Sequence, residues 1–176
     1  MPDSRSIADE LIHRFELKPH PEGGFFAETY RSAARVLRAD QPGKTDDTRV
    51  ASTAIYYLLC DGAHSAWHRI RSDEVWHFYA GEPLLVHVLD ESGASGTLVT
   101  HRLGNPLTHP ETVCQAVVPA GVWFAAECAD PATFALVGCT VAPGFEFSEF
   151  ELADVDALKA RHPRHAELIG RLGPAN

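Results

Sequence analysis

The N-terminal part of the chain shows the hydrophobic spacing of a helix. In SIADELIHRFE, residues 6–16, apolar side chains recur three or four positions apart and therefore share one helix face. Ser6 with Asp9 three residues later resembles a capping box, so we predict that the helix begins there. The following KPHPEGG has two prolines and two glycines and ends the helix. The apolar face consists of Ile7, Leu11, Ile12 and Phe15.

From Phe25 onward the hydrophobic period shortens to two, which is typical of β-strands. In FFAETYRSA, alternation places Phe26, Glu28 and Tyr30 on one face of the first strand. Turn signals such as DG, RSDE, GE, ESGASG, PAG and ADPA separate the later strands, and many short strands at this spacing predict an all-β sandwich or barrel. The predicted strands are STAIYYLL, AWHRI, EVWHFYA, PLLVHVLD, GTLVTHRL, CQAVVPA, VWFAAEC and TFALVGCTV.

Two other segments complete the predicted organisation. RADQPGKTDDTR, residues 38–49, is polar and contains Pro and Gly, so it predicts a loop. Residues 151–172 predict one or two helices with a break at Pro163, and Leu152, Val155 and Leu158 are expected to pack on the barrel. The chain has no internal repeat. We therefore expect a single domain over residues 1–176, with the barrel at about 17–154.

Composition narrows the classes of partner. The chain of 176 residues has 15 basic and 24 acidic side chains and a net charge of −9. Because nucleic-acid binding depends on clustered Lys and Arg, we expect no nucleic-acid partner. No apolar run reaches the ~20 residues of a membrane helix, so we expect no membrane partner either.

The four cysteines indicate a cytoplasmic protein. Cys60, Cys114, Cys128 and Cys139 form no C-x-x-C pair and lie among apolar residues, so we predict buried, reduced thiols. The first ten residues, MPDSRSIADE, are polar and acidic, which is not the pattern of a signal peptide.

Two spacings in the middle of the chain resemble the signatures of the cupin superfamily. Residues 62–81 read G-x5-H-x-I-x3-E-x6-G, with Ile70 where the cupin pattern has a second His. In PAGVWFAAEC, residues 119–128, Phe124 stands at the position of another His. The resemblance implies a double-stranded β-helix, or jelly-roll, barrel in which His68 and Glu74 face the interior.

The altered signatures bear directly on metal binding. Three imidazoles and a carboxylate form a shell that suits Fe, Mn, Ni or Zn. With Ile70 and Phe124 in place of two imidazoles, the resemblance implies an apolar pocket, and we expect no cofactor. The alternative is a divalent transition metal held by His68, Glu74 and His77, which requires a bulge that turns His77 inward.

Further stretches resemble the uncharacterised cupin 5 subgroup. These are HPEGGFFAETYRSA, VWHFYAGEPLLVHVLDESG, VPAGVWFAAE and FEFSEFELAD. The subgroup is similar in fold to dTDP-4-dehydrorhamnose 3,5-epimerases, and the resemblance implies a homodimer with a ligand cavity inside each barrel. In that enzyme the first-His slot, here His68, holds a catalytic base. The catalytic Tyr that follows a C-T step there is absent here, where the run is Cys139-Thr140-Val141.

The candidate site follows from these patterns and the resemblance. His68 is the expected base and Glu74 its acidic partner, whereas HPEGG forms a turn or a lid over the barrel. The leading hypothesis is a small polar, carbohydrate-like ligand and a metal-independent isomerase or epimerase. The alternatives are a metal-dependent oxygenase or hydrolase, and a non-catalytic small-molecule sensor or carrier. The expected ligand-binding residues are Glu28, Tyr30, Trp76, His77 and Phe124.

Overall fold

Two antiparallel sheets face each other and form a jelly-roll barrel. The computed structural model describes residues 3–37, 48–91 and 96–174. In these ranges the strands are β1 (Lys18–Pro19), β2 (Phe25–Arg31), β3 (Arg35–Leu37), β4 (Thr48–Val50), β5 (Thr53–Leu59), β6 (His64–Arg69), β7 (Asp73–Gly81), β8 (Leu84–Asp90), β9 (Thr97–Leu103), β10 (Gln115–Val118), β11 (Trp123–Cys128), β12 (Ala135–Ala142) and β13 (Glu151–Leu152). The helices are α1 (Ser4–Arg14), α2 (Val155–Arg161) and α3 (Ala166–Arg171), with short 3-10 helices at Phe147–Glu149 and Pro163–His165.

The strand order is that of a barrel built from two sheets. One sheet has six strands in the order β1-β2-β5-β12-β7-β10, and the other has five in the order β13-β6-β11-β8-β9. Sequence neighbours such as β6 and β7 lie in different sheets, so the chain crosses between the sheets repeatedly. The predicted all-β barrel with flanking helices is confirmed, and each predicted strand has a counterpart.

The main core lies between the two sheets because alternate side chains on each strand point inward. In β8, for example, Leu84, Val86 and Val88 are buried against the facing sheet. On the six-stranded sheet the matching layer comes from Tyr57, Trp76 and Val137. One end of this interior remains open as the candidate site.

The helices cover the outer faces of the two sheets. Helix α1 packs on one half of the six-stranded sheet, around Ala8 and Leu58. Helices α2 and α3 pack Leu158 and Ile169 against Trp67 of the five-stranded sheet, and the chain breaks between them at the 3-10 helix that begins with Pro163, as predicted. No helix in the described ranges is long and apolar enough to cross a lipid bilayer.

Three local expectations are corrected. Helix α1 is capped by Asp3, whose Oδ1 accepts the Ser6 N–H at 2.8 Å, because Asp3 has the extended backbone of an N-cap. Cys114 is exposed, since it precedes an edge strand, whereas the other three free cysteines are buried. The predicted 38–49 loop lies outside the described residues up to 47, and its last two residues begin β4.

Candidate functional site

A cavity of about 90 Å³ opens between the sheets at one end of the barrel. It is smaller than the ~300–1,000 Å³ pockets that hold drug-sized ligands, so its interior suits a molecule of few heavy atoms. His68, Ile70 and Glu74 all reach it, as the cupin spacing predicted. The lining residues are His20, Glu22, Phe26, Glu28, Arg31, Thr53, Ile55, Tyr57, His68, Ile70, Glu74, Cys139, Val141, Phe145, Glu146 and Phe147.

His68 is held by one hydrogen bond and one close carboxyl contact at the closed end of the cavity. Its Nδ1 lies 2.8 Å from the peptide oxygen of Ala66, and its Nε2 lies 3.0 Å from Oε2 of Glu22. The second oxygen of Glu22 accepts a hydrogen bond from Ser65 Oγ at 2.9 Å. Ser65 and His68 are three residues apart, yet both reach Glu22 because a β-bulge interrupts the pairing of β6 with β11.

The partners of His68 determine where its proton lies. A peptide oxygen only accepts hydrogen bonds, so Nδ1 carries a proton and Nε2 faces Glu22. Burial lowers the pKa of His68 to about 4. Burial also raises the pKa of Glu22. Both directions favour the neutral forms of the two side chains, which are in contact through Nε2 of His68 and Oε2 of Glu22.

The HPEGG segment places Glu22 inside the barrel. The His20 N–H donates to Gly24 O and the Gly23 N–H donates to His20 O, each at 3.0 Å, so the segment is a tight turn. Gly23 and Gly24 have φ of 111° and 68°, a conformation that favours glycine. Tyr57 Oη donates to Gly23 O at 2.8 Å and fixes the turn to the six-stranded sheet.

Glu74 is a second buried carboxyl in the same cavity. Burial raises its pKa to about 8, and the proximity of the Glu22 carboxyl acts in the same direction. A hydrogen bond with Cys139 opposes the shift in part. Glu74 is therefore mostly protonated at neutral pH and can donate a proton or a hydrogen bond to a ligand.

The mouth of the cavity carries an ion-pair network. Arg31 donates to both carboxylate oxygens of Glu28, at 2.9 and 2.8 Å, and to Glu146 at 3.1 Å. A register shift between Glu28 and Tyr30 turns Arg31 toward the cavity. The same shift leaves Tyr30 54% exposed and outside the lining, which corrects the simple alternation predicted for β2.

The other predicted ligand-binding residues are divided between the core and the outer surface. Phe124 packs on His68 with ring centroids 4.0 Å apart, and Trp76 contacts Phe124 edge to face, so both lie in the core behind the cavity. His77 lies on the opposite face of β7, where it bonds Thr140 at 3.2 Å and Gln115 at 2.8 Å. Only Glu28 of the five lines the cavity.

The residues present do not fit the metal shell of the cupin pattern. His77 is held on the far side of the sheet, so the alternative shell of His68, Glu74 and His77 is not assembled. Ile70 occupies a cavity position that an imidazole would need. Within the described ranges, no group of three or more His, Cys, Asp or Glu side chains is arranged to hold a metal ion.

Sequence reasoning missed Glu22 as a site residue. A turn reading of HPEGG is correct for its backbone, yet the carboxyl within that turn is the direct partner of His68. The available signal was an acidic residue between Pro21 and two glycines immediately before the first long strand. Tyr57 and Cys139 were also missed, since an alternating apolar strand does not show which positions border a cavity.

Comparisons with known proteins agree with this architecture. The family model described as Cupin superfamily (DUF985) matches residues 9–153. The uncharacterised protein YML079W of Saccharomyces cerevisiae is 30% identical over 176 aligned positions, which cover 90% of this chain and 82% of the yeast protein. The crystal structure of protein SO0799 from Shewanella oneidensis superposes with a TM-score of 0.81 and 35% identity over the full length of both chains.

A more distant structure shares the fold alone. A dTDP sugar isomerase from Desulfovibrio desulfuricans G20 superposes with a TM-score of 0.52 and 20% identity, covering 77% of this chain and 85% of that one.

Proposed function

Since the chain belongs to the cupin superfamily, in the group described as DUF985, we propose that its barrel binds a small polar, carbohydrate-like carbonyl compound and isomerises or epimerises it without a metal. The observation that carries this proposal is the pair of buried carboxyls, Glu22 and Glu74, in one cavity, the first in contact with His68. Acid–base groups with raised pKa values are suited to proton transfer near neutral pH. The shared fold with a dTDP sugar isomerase is consistent with this chemistry.

The proposed step moves one proton in each direction. Glu74 donates its proton to the carbonyl oxygen of the substrate, and Glu22 takes a proton from the adjacent carbon while its own proton passes to Nε2 of His68. The C–H electron pair becomes the double bond of an enol, and the carbonyl π pair forms the new O–H bond. The imidazolium of His68 and the carboxylate of Glu74 then balance each other in charge. Return of the proton to the opposite face of the same carbon gives the epimer. In an α-hydroxy compound, return of the proton to the former carbonyl carbon gives the isomer, and the proton of the α-hydroxyl then passes to the carboxylate of Glu74.

Other residues in and behind the cavity wall bind the ligand or orient the catalytic groups in this proposal. Glu28 contacts the ligand at the mouth, where its carboxylate is partly exposed beside Arg31. Phe124 and Trp76 act from behind, because their packing on His68 and on each other holds the imidazole in place. Tyr30 and His77 have no part in it, since both lie outside the cavity.

Deuterium exchange tests the function. Small aldoses and ketoses are incubated with the protein in D₂O, and NMR follows deuterium entering the carbon next to the carbonyl. We expect exchange above the uncatalysed rate, retained after treatment with a chelator and lost in His68→Ala. Ligand binding without exchange in any compound would identify a carrier or sensor, and exchange that the chelator abolishes would overturn the metal-free step.

We also propose a homodimer built on the half of the six-stranded sheet that α1 leaves uncovered. On this face Tyr79 of β7 is 53% exposed, and Val117 of the edge strand β10 is 52% exposed. Edge strands and apolar faces of this kind are usually covered in native proteins. Val117→Arg is expected to give monomers in analytical ultracentrifugation, whereas Val99→Arg, an exposed valine of the other sheet, is the matched control. A monomeric wild-type protein would contradict the dimer.

A cytoplasmic location is the last part of the proposal. It is supported by the four free cysteines, three of them buried. Cell fractionation followed by immunoblotting checks it, and recovery of the protein in an extracytoplasmic fraction would contradict it.

A further inference from the structure

Acidic side chains predominate among the ionisable groups around the cavity. Among the described residues that line it are four glutamates, and the one fixed cation is Arg31. Glu22 and Glu74 lie at the closed end, whereas Glu28 and Glu146 lie at the mouth. The mouth therefore carries two carboxylates against one guanidinium.

Arg31 is already engaged by the protein. Its Nε and Nη2 donate to the two oxygens of Glu28, its Nη1 donates to Glu146, and its Nη2 also reaches the peptide oxygen of Phe145 at 3.2 Å. This bidentate pairing uses the geometry with which an arginine would bind a carboxylate or a phosphate. An anionic ligand would have to displace Glu28 and would then meet its negative charge.

Aromatic rings complete the mouth. Phe145 and Phe147 meet edge to face with centroids 4.9 Å apart, and Phe147 stacks on His20 with centroids 6.0 Å apart and an interplanar angle of 27°. Phe147 is exposed, so its ring is open to an incoming molecule. Aromatic faces beside carboxylates attract ammonium groups by cation–π and charge interactions.

We propose that the ligand of this cavity carries a protonated amine, held at the mouth by Glu28, Glu146, Phe145 and Phe147, and a carbonyl group that extends inward to Glu22 and Glu74. The orientation of the carbonyl rests on the proposed function, whereas the choice of an ammonium over an anion rests on the paired Arg31 and the aromatic mouth. The substrate class is thus an amino-substituted carbonyl compound rather than a phosphorylated or carboxylated one.

Three ketones with the same three-carbon frame test whether the cavity prefers a cationic ligand. Calorimetric titration of the wild-type protein is made with aminoacetone, hydroxyacetone and dihydroxyacetone phosphate, which are cationic, neutral and anionic. We expect aminoacetone to bind about tenfold more tightly than hydroxyacetone, and dihydroxyacetone phosphate to bind most weakly. Equal binding of all three, tightest binding of the phosphate, or no binding of aminoacetone would overturn the proposal.

A matched pair of variants tests whether the carboxylates at the mouth of the cavity bind the amine. Glu28→Gln removes the bidentate partner of Arg31 and is expected to weaken aminoacetone about fivefold while strengthening the phosphate compound. Glu151→Gln is the control, because Glu151 pairs with Arg69 through the same two-point geometry at 2.8 and 3.0 Å but does not line the cavity. An equal effect of both substitutions would count against the proposal.

The exchange assay separates this inference from the proposed function. If aminoacetone binds most tightly but neither ketone exchanges deuterium, the inference stands and the isomerase fails. If aminoacetone and hydroxyacetone bind and exchange equally, the isomerase stands and the preference for an amine fails.

Discussion

Two His–Glu pairs in this barrel have nearly the same geometry and very different surroundings. His68 Nε2 lies 3.0 Å from Glu22, and His87 Nε2 lies 3.1 Å from Glu127. Both histidines belong to strands of the five-stranded sheet, and their side chains are only 4% and 7% exposed. The contact distance alone would not tell them apart.

The difference lies in the third partner of each pair. Glu127 also accepts two hydrogen bonds from Arg171. Although burial acts to raise it, the pKa of Glu127 is held below its usual value by the hydrogen bonds from Arg171 and His87. Among the described residues no arginine or lysine pairs with Glu22, and burial raises its pKa although His20, 3.6 Å away, acts to lower it.

In the proposed mechanism, neutralisation of the carboxylate, and not the contact distance, separates a structural pair from a proton-transfer pair. The carboxylate of Glu127 is kept ionised by a guanidinium and is committed to holding α3 on the sheet. The raised pKa of Glu22 favours its protonated form, which in the proposed mechanism exchanges a proton with a ligand in the same cavity. Three measurements would break or sharpen this distinction.

The largest expected effect is on catalysis. Glu22→Gln keeps the shape of the side chain but removes the exchangeable proton, so we expect the deuterium-exchange rate to fall by about 10²–10⁴. Glu127→Gln alters the other His–Glu pair equally and is expected to leave the rate near that of the wild type. The rates are measured by NMR on one ketone at saturating concentration. Equal losses of rate in the two variants would contradict different roles for the two His–Glu pairs.

The second effect is on the pH dependence of stability. The pKa of Glu74 is about 8 in the folded protein, against 4.5 for a glutamate in the unfolded chain. The wild type therefore loses stability as pH rises from about 4.5 to 8, since the unfolded chain ionises first. Glu74→Gln lacks this loss. The difference in unfolding free energy between this variant and the wild type should therefore shift in favour of the variant over this pH range, by a few kcal/mol.

Urea denaturation at pH 5 and pH 8 checks the sign. Glu127→Gln provides the opposite case, because the lowered pKa of Glu127 contributes stability above its unfolded pKa that is lost as pH falls. That variant should therefore be less stable than the wild type at pH 8, with a smaller deficit in acid. A pH-independent difference between Glu74→Gln and the wild type would mean that Glu74 is ionised in the fold.

The smallest expected effect is the loss of unfolding free energy when the guanidinium of Arg171 is removed. Arg171 is half exposed, so Arg171→Gln should cost no more than about 1 kcal/mol of unfolding free energy, and less at high salt. The Glu22→Gln difference should not depend on salt, because that pair is buried. Urea denaturation in low and high salt compares the two variants. A loss of unfolding free energy in Glu22→Gln that depends on salt would contradict a buried, neutral pair.

Much of the fold could be predicted from residue patterns, because strand alternation and helix spacing are local properties. The same locality explains the errors. Tyr30 was expected inside the barrel, yet one register shift in β2 exposes it and brings Arg31 in. A bulge in β6 likewise brings Ser65 and His68 to one carboxylate, and alternation cannot indicate where such bulges occur.

By itself the sequence determined the barrel, its flanking helices and the placing of His68 and Glu74 in a cupin frame with Ile70 and Phe124 at two ligand positions. Only the tertiary structure decided that Glu22 is the partner of His68, that Arg31 is already paired, and that Glu127 is neutralised by Arg171. The physical reason is that a proton's position depends on burial and on charges a few ångströms away. Those charges come from residues far apart in the chain, such as Glu127 and Arg171, which only the fold brings together.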